Sequence, residues 1–380
     1  GGILLFLQVA YFSNVLYLVG SIFSTIELCL FSIGEGCEIT PDRPALPGIL
    51  ERIARHPSLR YIFKKSVIIG VELFLVATFN FFIVNLYGSP VSLFIRPGIT
   101  RPEDVQRIYE ALGLNQPILI RYVKYLFSEF QFDFGVSFFW RKPVSALIYD
   151  RLIPTLILMG SSLIFSSIIG IVLGILAGLA PHSRRDSFLT NTSIVLTSFP
   201  TFWLGIVLVY IFSLLLGWFP ISHMYTVGVV YTPEQFWEMV VDILWHLFLP
   251  MMTLVLVSIA GLLVLMRDSI MQVSREDYVL VARAKGLPER TVLTRYILRN
   301  SMLPVVTVIA LSIGFILSGA VITEQIFDWP GLGKLYFEAV LNNDYPVVLG
   351  LLFLTSFLVL IMSLVVDLLY VILDPRIKFQ

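Results

Sequence analysis

The sequence predicts an all-α polytopic membrane protein, and three observations carry that prediction. Of 380 residues, 57% are apolar and only 14% charged, with a mean hydropathy of +0.87. This is more apolar surface than a soluble core hides, so the bilayer is the solvent. The apolar residues gather into seven runs, each long enough for a helix to cross about 30 Å of hydrocarbon. Lys and Arg then collect in alternate connecting loops, the asymmetry that sets orientation. The formal net charge is zero, which points neither to a basic surface for nucleic acid nor to an acidic solvating tail.

In chain order, residues 1–33 form an extra N-terminal transmembrane helix, too long and too poor in leading positive charge for a cleaved signal peptide. Residues 34–65 are a linker, Pro-rich at Pro41, Pro44 and Pro47, that ends in an amphipathic basic segment with Arg52, Arg55, Arg60, Lys64 and Lys65 suited to a membrane surface. Cys29 and Cys37 have no His or Cys partner at metal spacing and read as ordinary thiols. The other six spans lie within residues 66–380, at 66–87, about 154–180, 191–217, 246–266, 304–324 and 346–373.

Residues 88–153 form a long helical insertion. Thr100 and Glu103 predict a capping box opening a helix that ends at Gly113, Pro117 starts a second, and Pro143 starts a third that leads into the next span. Its aromatics, Phe127, Phe130, Phe132, Phe134, Phe138, Phe139 and Trp140, suit a small core or interfacial belt, and alternatively a ligand-contacting surface.

Loop charges orient the chain. Residues 181–190 carry Arg184 and Arg185, the stretch 267–299 carries seven Lys or Arg, and the tail carries Arg376 and Lys378. By contrast 218–245 has no Lys or Arg, and 325–345 only Lys334. The basic loops, the linker and the C-terminus are therefore expected in the cytoplasm, with the N-terminus and residues 88–153 outside.

The charged loop 268–303 is the most distinctive stretch. Ser274 with Asp277 predicts a capping box, a first helix runs to Lys285 and stops at Gly286, and a second short helix starts at Pro288. Small residues Ala282, Ala284 and Gly286, flanked by Tyr278 and charges, suit close approach by a soluble partner. A helix-turn-helix reading with Thr291, Arg295 and Arg299 on DNA is disfavoured, because a loop tethered to a span at each end has little reach into a groove. No P-loop is present: Gly331-Leu332-Gly333-Lys334 lacks the upstream Gly and is followed by Leu335. The four His are scattered over different segments, and no catalytic or metal-binding motif emerges.

The strings Asp277-Tyr278-Val279, Ala282-Arg283-Ala284-Lys285-Gly286-Leu287, Leu298-Arg299-Asn300 and Leu303-Pro304 resemble the cytoplasmic coupling loop of ABC importer permeases, specifically the B-type subunit of the oligopeptide/dipeptide branch. Gly113–Pro117, Phe134–Ser137, Leu216–Pro220, Phe327–Gly333, Asp344–Pro346 and Leu373–Arg376 extend the resemblance from about residue 62 to the end. Leu280 and Val281 precede Ala282, a departure from the broad importer loop, which has an acidic residue followed by two alanines before its Gly, that matches the peptide branch.

The resemblance implies a type I ABC importer permease core of six helices at 66–380, non-catalytic, paired with a homologous sister permease as a heterodimer. Two cytoplasmic ATPase subunits bind ATP and Mg, with no cofactor in this chain, and an extracytoplasmic binding protein delivers oligopeptides or dipeptides. Oligosaccharides or nickel are the related cargoes, and an ion-coupled secondary carrier is the alternative of another class. ATPase coupling falls to Glu276, Asp277, Tyr278, Ala282, Arg283, Ala284, Lys285, Gly286 and Leu287. Trp329, Pro330 and Gly331 are candidates for an outer gate or a binding-protein contact. Intramembrane polar groups are pathway candidates because charge in hydrocarbon is costly, which nominates Glu72, Asn80 and Glu324, with His246 and Asp367 behind them. The N-terminal span and residues 34–61 depart from the family pattern, and the span is expected to pack on the outside of the core.

Overall fold

The computed structural model describes residues 57–86 and 115–373. The extra N-terminal helix, most of the linker and the Thr100–Gly113 helix lie outside these residues. The chain divides into two compact units, Gly1–Leu75 with Lys378–Gln380 and Val76–Ile377. Among the described residues five helices are long and apolar enough to cross a bilayer, and a bent pair makes a sixth. No strand occurs among them beyond an isolated bridge between Val136 and Pro143.

Helix α1 spans Pro57–Leu86 without a break, with Pro57 at its first position, where its missing N–H costs nothing. The described part of the basic segment, with Arg60, Lys64 and Lys65, therefore continues directly into the span. In the second unit, α2 (Ile118–Phe130) follows Pro117 as expected. It lies against α1, with Thr78 Oγ1 2.6 Å from the Tyr122 hydroxyl and the Phe81 ring about 5.4 Å from those of Tyr122 and Tyr125. The aromatics that follow form a half-open cluster: Phe130, Phe132 and Phe134 meet the buried Phe353, but Phe130 and Phe132, like Phe127 and Phe139, remain exposed.

Two long helices form the axis of the second unit. Helix α3 (Val144–Gly178) starts after Pro143, and α6 (Phe236–Val273) runs for 38 residues. Gly170, Gly174 and Gly178 recur every four residues on one face of α3. A Cβ at Gly170 would fall 2.7 Å from that of Leu262, and one at Gly174 would fall 2.7 Å from the Leu263 carbonyl and Met266. The backbones approach closely because these side chains are missing.

Between the axial helices lie α4 (Arg184–Ser198) and α5 (Thr201–Leu208), the latter continued by a π-helical stretch at Val209–Leu215. The span expected at 191–217 is not straight but bends by 97° at this break. Phe199 has extended geometry (φ −79°, ψ 134°), as a residue before proline prefers.

After α6 come α7 (Asp277–Ala284) and α8 (Glu289–Thr291), and a π-helical stretch at Val292–Leu298 leads into α9 (Arg299–Gly314). The span expected to reach residue 324 ends at Ser318, because Gly319 turns the chain with φ +68°. Two short helices, α10 (Val321–Ile326) and α11 (Leu332–Leu341), precede the last span, α12 (Tyr345–Leu373).

Candidate coupling site and membrane groove

Helix α7 sits on a base built by three other helices. Val279 and Ala282, three residues apart on one face, are 0% and 3% exposed and pack with Met266 and Ile270 of α6, Val292 and Ile297 of the π stretch, and Val305 of α9. Burying one valine side chain is worth about 1.5–3 kcal/mol, so α7 is seated rather than dangling. The opposite face is open, with Tyr278, Leu280 and Val281 at 40%, 52% and 51% exposure and Asp277, Arg283, Ala284, Lys285 and Gly286 also exposed. Ala282 therefore permits close approach to the base of the chain itself, not to a partner. The outward apolar surface is Tyr278, Leu280, Val281 and Ala284.

The ends of α7 differ from the sequence expectation at one side only. Ser274 does not cap it: with φ −63° and ψ −17° it closes the last turn of α6, donating its N–H to the Ile270 carbonyl at 2.9 Å. The cap position is Glu276, extended and without a side-chain bond. A long span already propagating through Val273 adds one more turn at little cost, which removes Ser274 from the cap. At the other end the glycine stop is present, since Gly286 has φ +73° and donates to Arg283 O at 2.9 Å while Leu287 donates to Ala282 O at 3.4 Å, a Schellman-like closure. The second short helix expected from Pro288 is instead the base of a continuous 30-residue span, Glu289–Ser318.

Side chains fix the angle of α7 on this base. Asn300 Nδ2 donates to the Tyr278 hydroxyl and to Tyr296 O, both at 2.9 Å. Arg283 Nη2 donates to Glu289 Oε1 at 2.8 Å across the glycine turn, which raises the Arg283 pKa. Nearby, Arg267 of α6 holds Asp186 of α4 in a bidentate pair, Nε to Oδ1 2.5 Å and Nη2 to Oδ2 2.8 Å. Sequence reasoning counted Arg267 only as a loop charge and passed over Asp186, because 81 residues separate the two.

At the other end of α6, two of the nominated gate residues, Trp329 and Gly331, are buried and Pro330 is half-buried. Trp329 is 0% exposed and packs with Leu158, Leu247 and Met251, and its indole N–H donates to Pro154 O at 2.8 Å. Glu324 is also 0% exposed. It accepts from Thr155 Oγ1 and Ala320 N–H at 3.3 Å and from Lys334 N–H at 2.8 Å. A Cβ on Gly331 would collide with its carboxylate, so Gly331 is small because Glu324 occupies the space. Asp328 pairs with Lys334 and lies 3.0 Å from His223 Nε2.

Of the remaining candidates, Glu72 and Asn80 are buried on α1 at 2% and 9% exposure. His246 bonds to Asp242 O of its own helix at 2.9 Å, and Asp367 is half-buried on α12.

A membrane groove of about 340 Å³ opens between α3, α6 and α9, lined by Ser162, Ser166, Ser258, Gly261, Ser312 and Phe315 among others. Ser162, Ser166 and Ser312 each donate their hydroxyl to their own helix, to Leu158 O at 2.7 Å, Leu163 O at 3.2 Å and Val308 O at 2.7 Å. That satisfies the single proton and leaves oxygen lone pairs as acceptors. A search for ionisable intramembrane groups misses these serines, and the four-residue spacing of Ser162 and Ser166 is their only local signal.

A protein family described as binding-protein-dependent transport system inner membrane component matches residues 170–379, which contain α7 and most of the groove. The oligopeptide transport system permease protein AppB of Bacillus subtilis (strain 168) is 38% identical over 293 residues, 77% of this chain and 90% of that protein. The glutathione transport system permease protein GsiC of Escherichia coli (strain K12) is 34% identical over 323 residues, 85% of this chain and 100% of that protein. Its counterpart in Salmonella paratyphi A is 35% identical over the same length. With a multi-helix membrane bundle, a seated helix open on one face and these relatives, the chain belongs to the binding-protein-dependent transport system inner membrane component family, and its core is a type I permease.

Proposed function

We propose that this chain is the non-catalytic permease subunit of an ATP-driven importer for peptides. The observation that carries the reading is the two-faced α7: Val279 and Ala282 are locked into the bundle while Tyr278, Leu280, Val281 and Ala284 face outward. A partner gripping that face moves α6 and α9 directly. The partner is a cytoplasmic ATPase subunit that carries ATP and Mg, with Asp277, Arg283, Lys285 and Gly286 at the rim of the contact, Glu276 at its start, and Ala282 and Leu287 beneath it. A sister permease forms a heterodimer with this chain and brings a second ATPase, and an extracytoplasmic binding protein delivers cargo. The C-terminus and α7 then lie in the cytoplasm and the N-terminus outside.

The groove supports peptide as cargo. Serine oxygens with free lone pairs accept from the N–H groups of an extended backbone without reading side chains, which suits a path shared by many sequences. The names of the relatives, oligopeptide and glutathione transport permeases, support the same class. Trp329, Pro330 and Gly331 with Glu324 then frame the outer end of the path, and Asn80 adds a buried polar group within the same unit. ATP shifts the permease between states only through contacts that differ between them, and the ATPase grip on α7 supplies these.

Reconstitution in proteoliposomes tests the reading. Peptide uptake is expected to need both permeases, the ATPase pair, the binding protein and ATP. Uptake driven by an ion gradient through this chain alone would overturn it.

A further inference from the structure

Three parts of the second unit are fastened together where α6 leaves the membrane. Glycines of α3 lie against Leu262, Leu263, Met266 and Ile270 of α6. The buried face of α7 shares Met266 and Ile270 with that contact. The corner between α3 and α4 is then tied to α6 by Asp186, whose side chain is 2% exposed, and Arg267, at 18%. The carboxylate is filled from every direction: Arg267 donates to both oxygens, His182 N–H to Oδ2 at 2.8 Å, and Thr190 Oγ1 to Oδ1 at 3.2 Å. His182 takes φ +63° to reach it, and Ser183 Oγ accepts from the Asp186 N–H at 3.1 Å. Arg267 is held from its other side by Asp268 at 2.7 Å.

We infer that Asp186 and Arg267 are positioning residues that transmit movement of α7 to the bent α4–α5 segment, so that the energy of the partner ATPase is converted into movement of the transport path. The inference rests on the coupling reading of α7 above. Helix α6 is continuous from Phe236 to Val273, so a pull on α7 shifts Arg267 with it. The pair passes that shift to the start of α4 rather than letting the α3–α4 corner slip. From there α4 runs to the 97° bend, beyond which Gly205 of α5 abuts the Phe327 ring. Buried ion pairs are poor stabilisers compared with apolar packing, and their best-attested use is in fixing register or serving as a switch. A bidentate guanidinium–carboxylate pair adds direction, which a lysine point charge does not reproduce.

The test uses the complete transporter in proteoliposomes and measures peptide uptake and ATP hydrolysis together. Arg267→Lys and Asp186→Asn are expected to assemble with their partners and retain basal ATP hydrolysis, while peptide moved per ATP falls about five- to tenfold, the size of an ordinary coupling between sites. The exchange Asp186→Arg with Arg267→Asp is expected to recover part of that ratio. Unchanged peptide per ATP in Arg267→Lys overturns the inference. So does loss of assembly with an unchanged ratio in whatever complex remains, since the pair would then be only structural. Failure of the unmodified transporter to show ATP-driven peptide uptake would count against the proposed function instead.

Discussion

The two ends of α6 use polar and apolar residues in opposite ways. At its N-terminal end, polar groups are enclosed and satisfied from within the chain: Glu324 by backbone N–H groups and Thr155, Trp329 by Pro154 O. Close by in sequence, Asp344 is 0% exposed and accepts from Ser137 Oγ at 2.5 Å and from the N–H groups of Phe138 and Phe139. At its C-terminal end, apolar groups are left open on α7 and the ion pair across the turn, Arg283 with Glu289, is exposed. A satisfied buried network makes a frame with one geometry, whereas an apolar face without cover is a surface that waits for another molecule. The network around Glu324 and Trp329 is complete within the chain, whereas the open face of α7 is left for a partner.

Substitutions that break this contrast rank by what they disturb. The largest expected effect is Gly331→Ala, which drives a methyl group into the Glu324 carboxylate and should cost about 3–5 kcal/mol, read as a fall in thermal stability of the purified protein and in its yield. Next is Asp344→Ala, which leaves the Ser137 hydroxyl and two N–H groups without their acceptor. It should cost about 2–4 kcal/mol in the same measurement. The pair Leu280→Asp and Val281→Asp on the open face of α7 should do the reverse, leaving thermal stability within about 0.5 kcal/mol while ATPase co-purification drops at least about tenfold. A large stability loss there would erase the distinction between the two ends.

A pH-dependent effect sharpens the comparison with a site between the extremes. Glu129 on α2 is 3% exposed, and burial, with Asp133 adding repulsion, pushes its carboxyl up to about 8. A raised pKa means the folded state favours the protonated acid. Its contribution is therefore complete below the ordinary carboxylate range and is lost as pH rises through about 8. Glu129→Gln should flatten the loss of stability between about pH 4.5 and about pH 8, a loss of at most about 1.4 kcal/mol per pH unit that is followed through the melting temperature. A Gln variant with the same pH slope as the parent would show that Glu129 is not responsible.

Much of this was legible in the residues. Apolar length marks where helices cross, because transfer into hydrocarbon adds up residue by residue along a continuous run. The Gly286 stop and the helix starts after Pro117 and Pro143 were equally local, being matters of φ and a missing N–H. The bend at Phe199–Pro200 was half legible: the residue before proline avoids helical geometry, but in a membrane neighbouring helices can also absorb a proline within a span. Ser274 shows the limit of local reading, since a good cap residue is overridden when the preceding helix does not end.

What the sequence by itself determined was the bilayer as solvent, the presence of the spans in the described residues though not the bend in one or the end of another, the charged loop between two of them and the family that these strings resemble. Only the tertiary structure decided which face of α7 is open, that Ala282 points inward, that Trp329 and Glu324 are enclosed, and that Asp186 meets Arg267. The reason is physical. Helix formation and membrane transfer are governed by neighbours in sequence, whereas burial and pairing depend on contacts across 81 residues for Asp186 and Arg267 and 175 for Trp329 and Pro154.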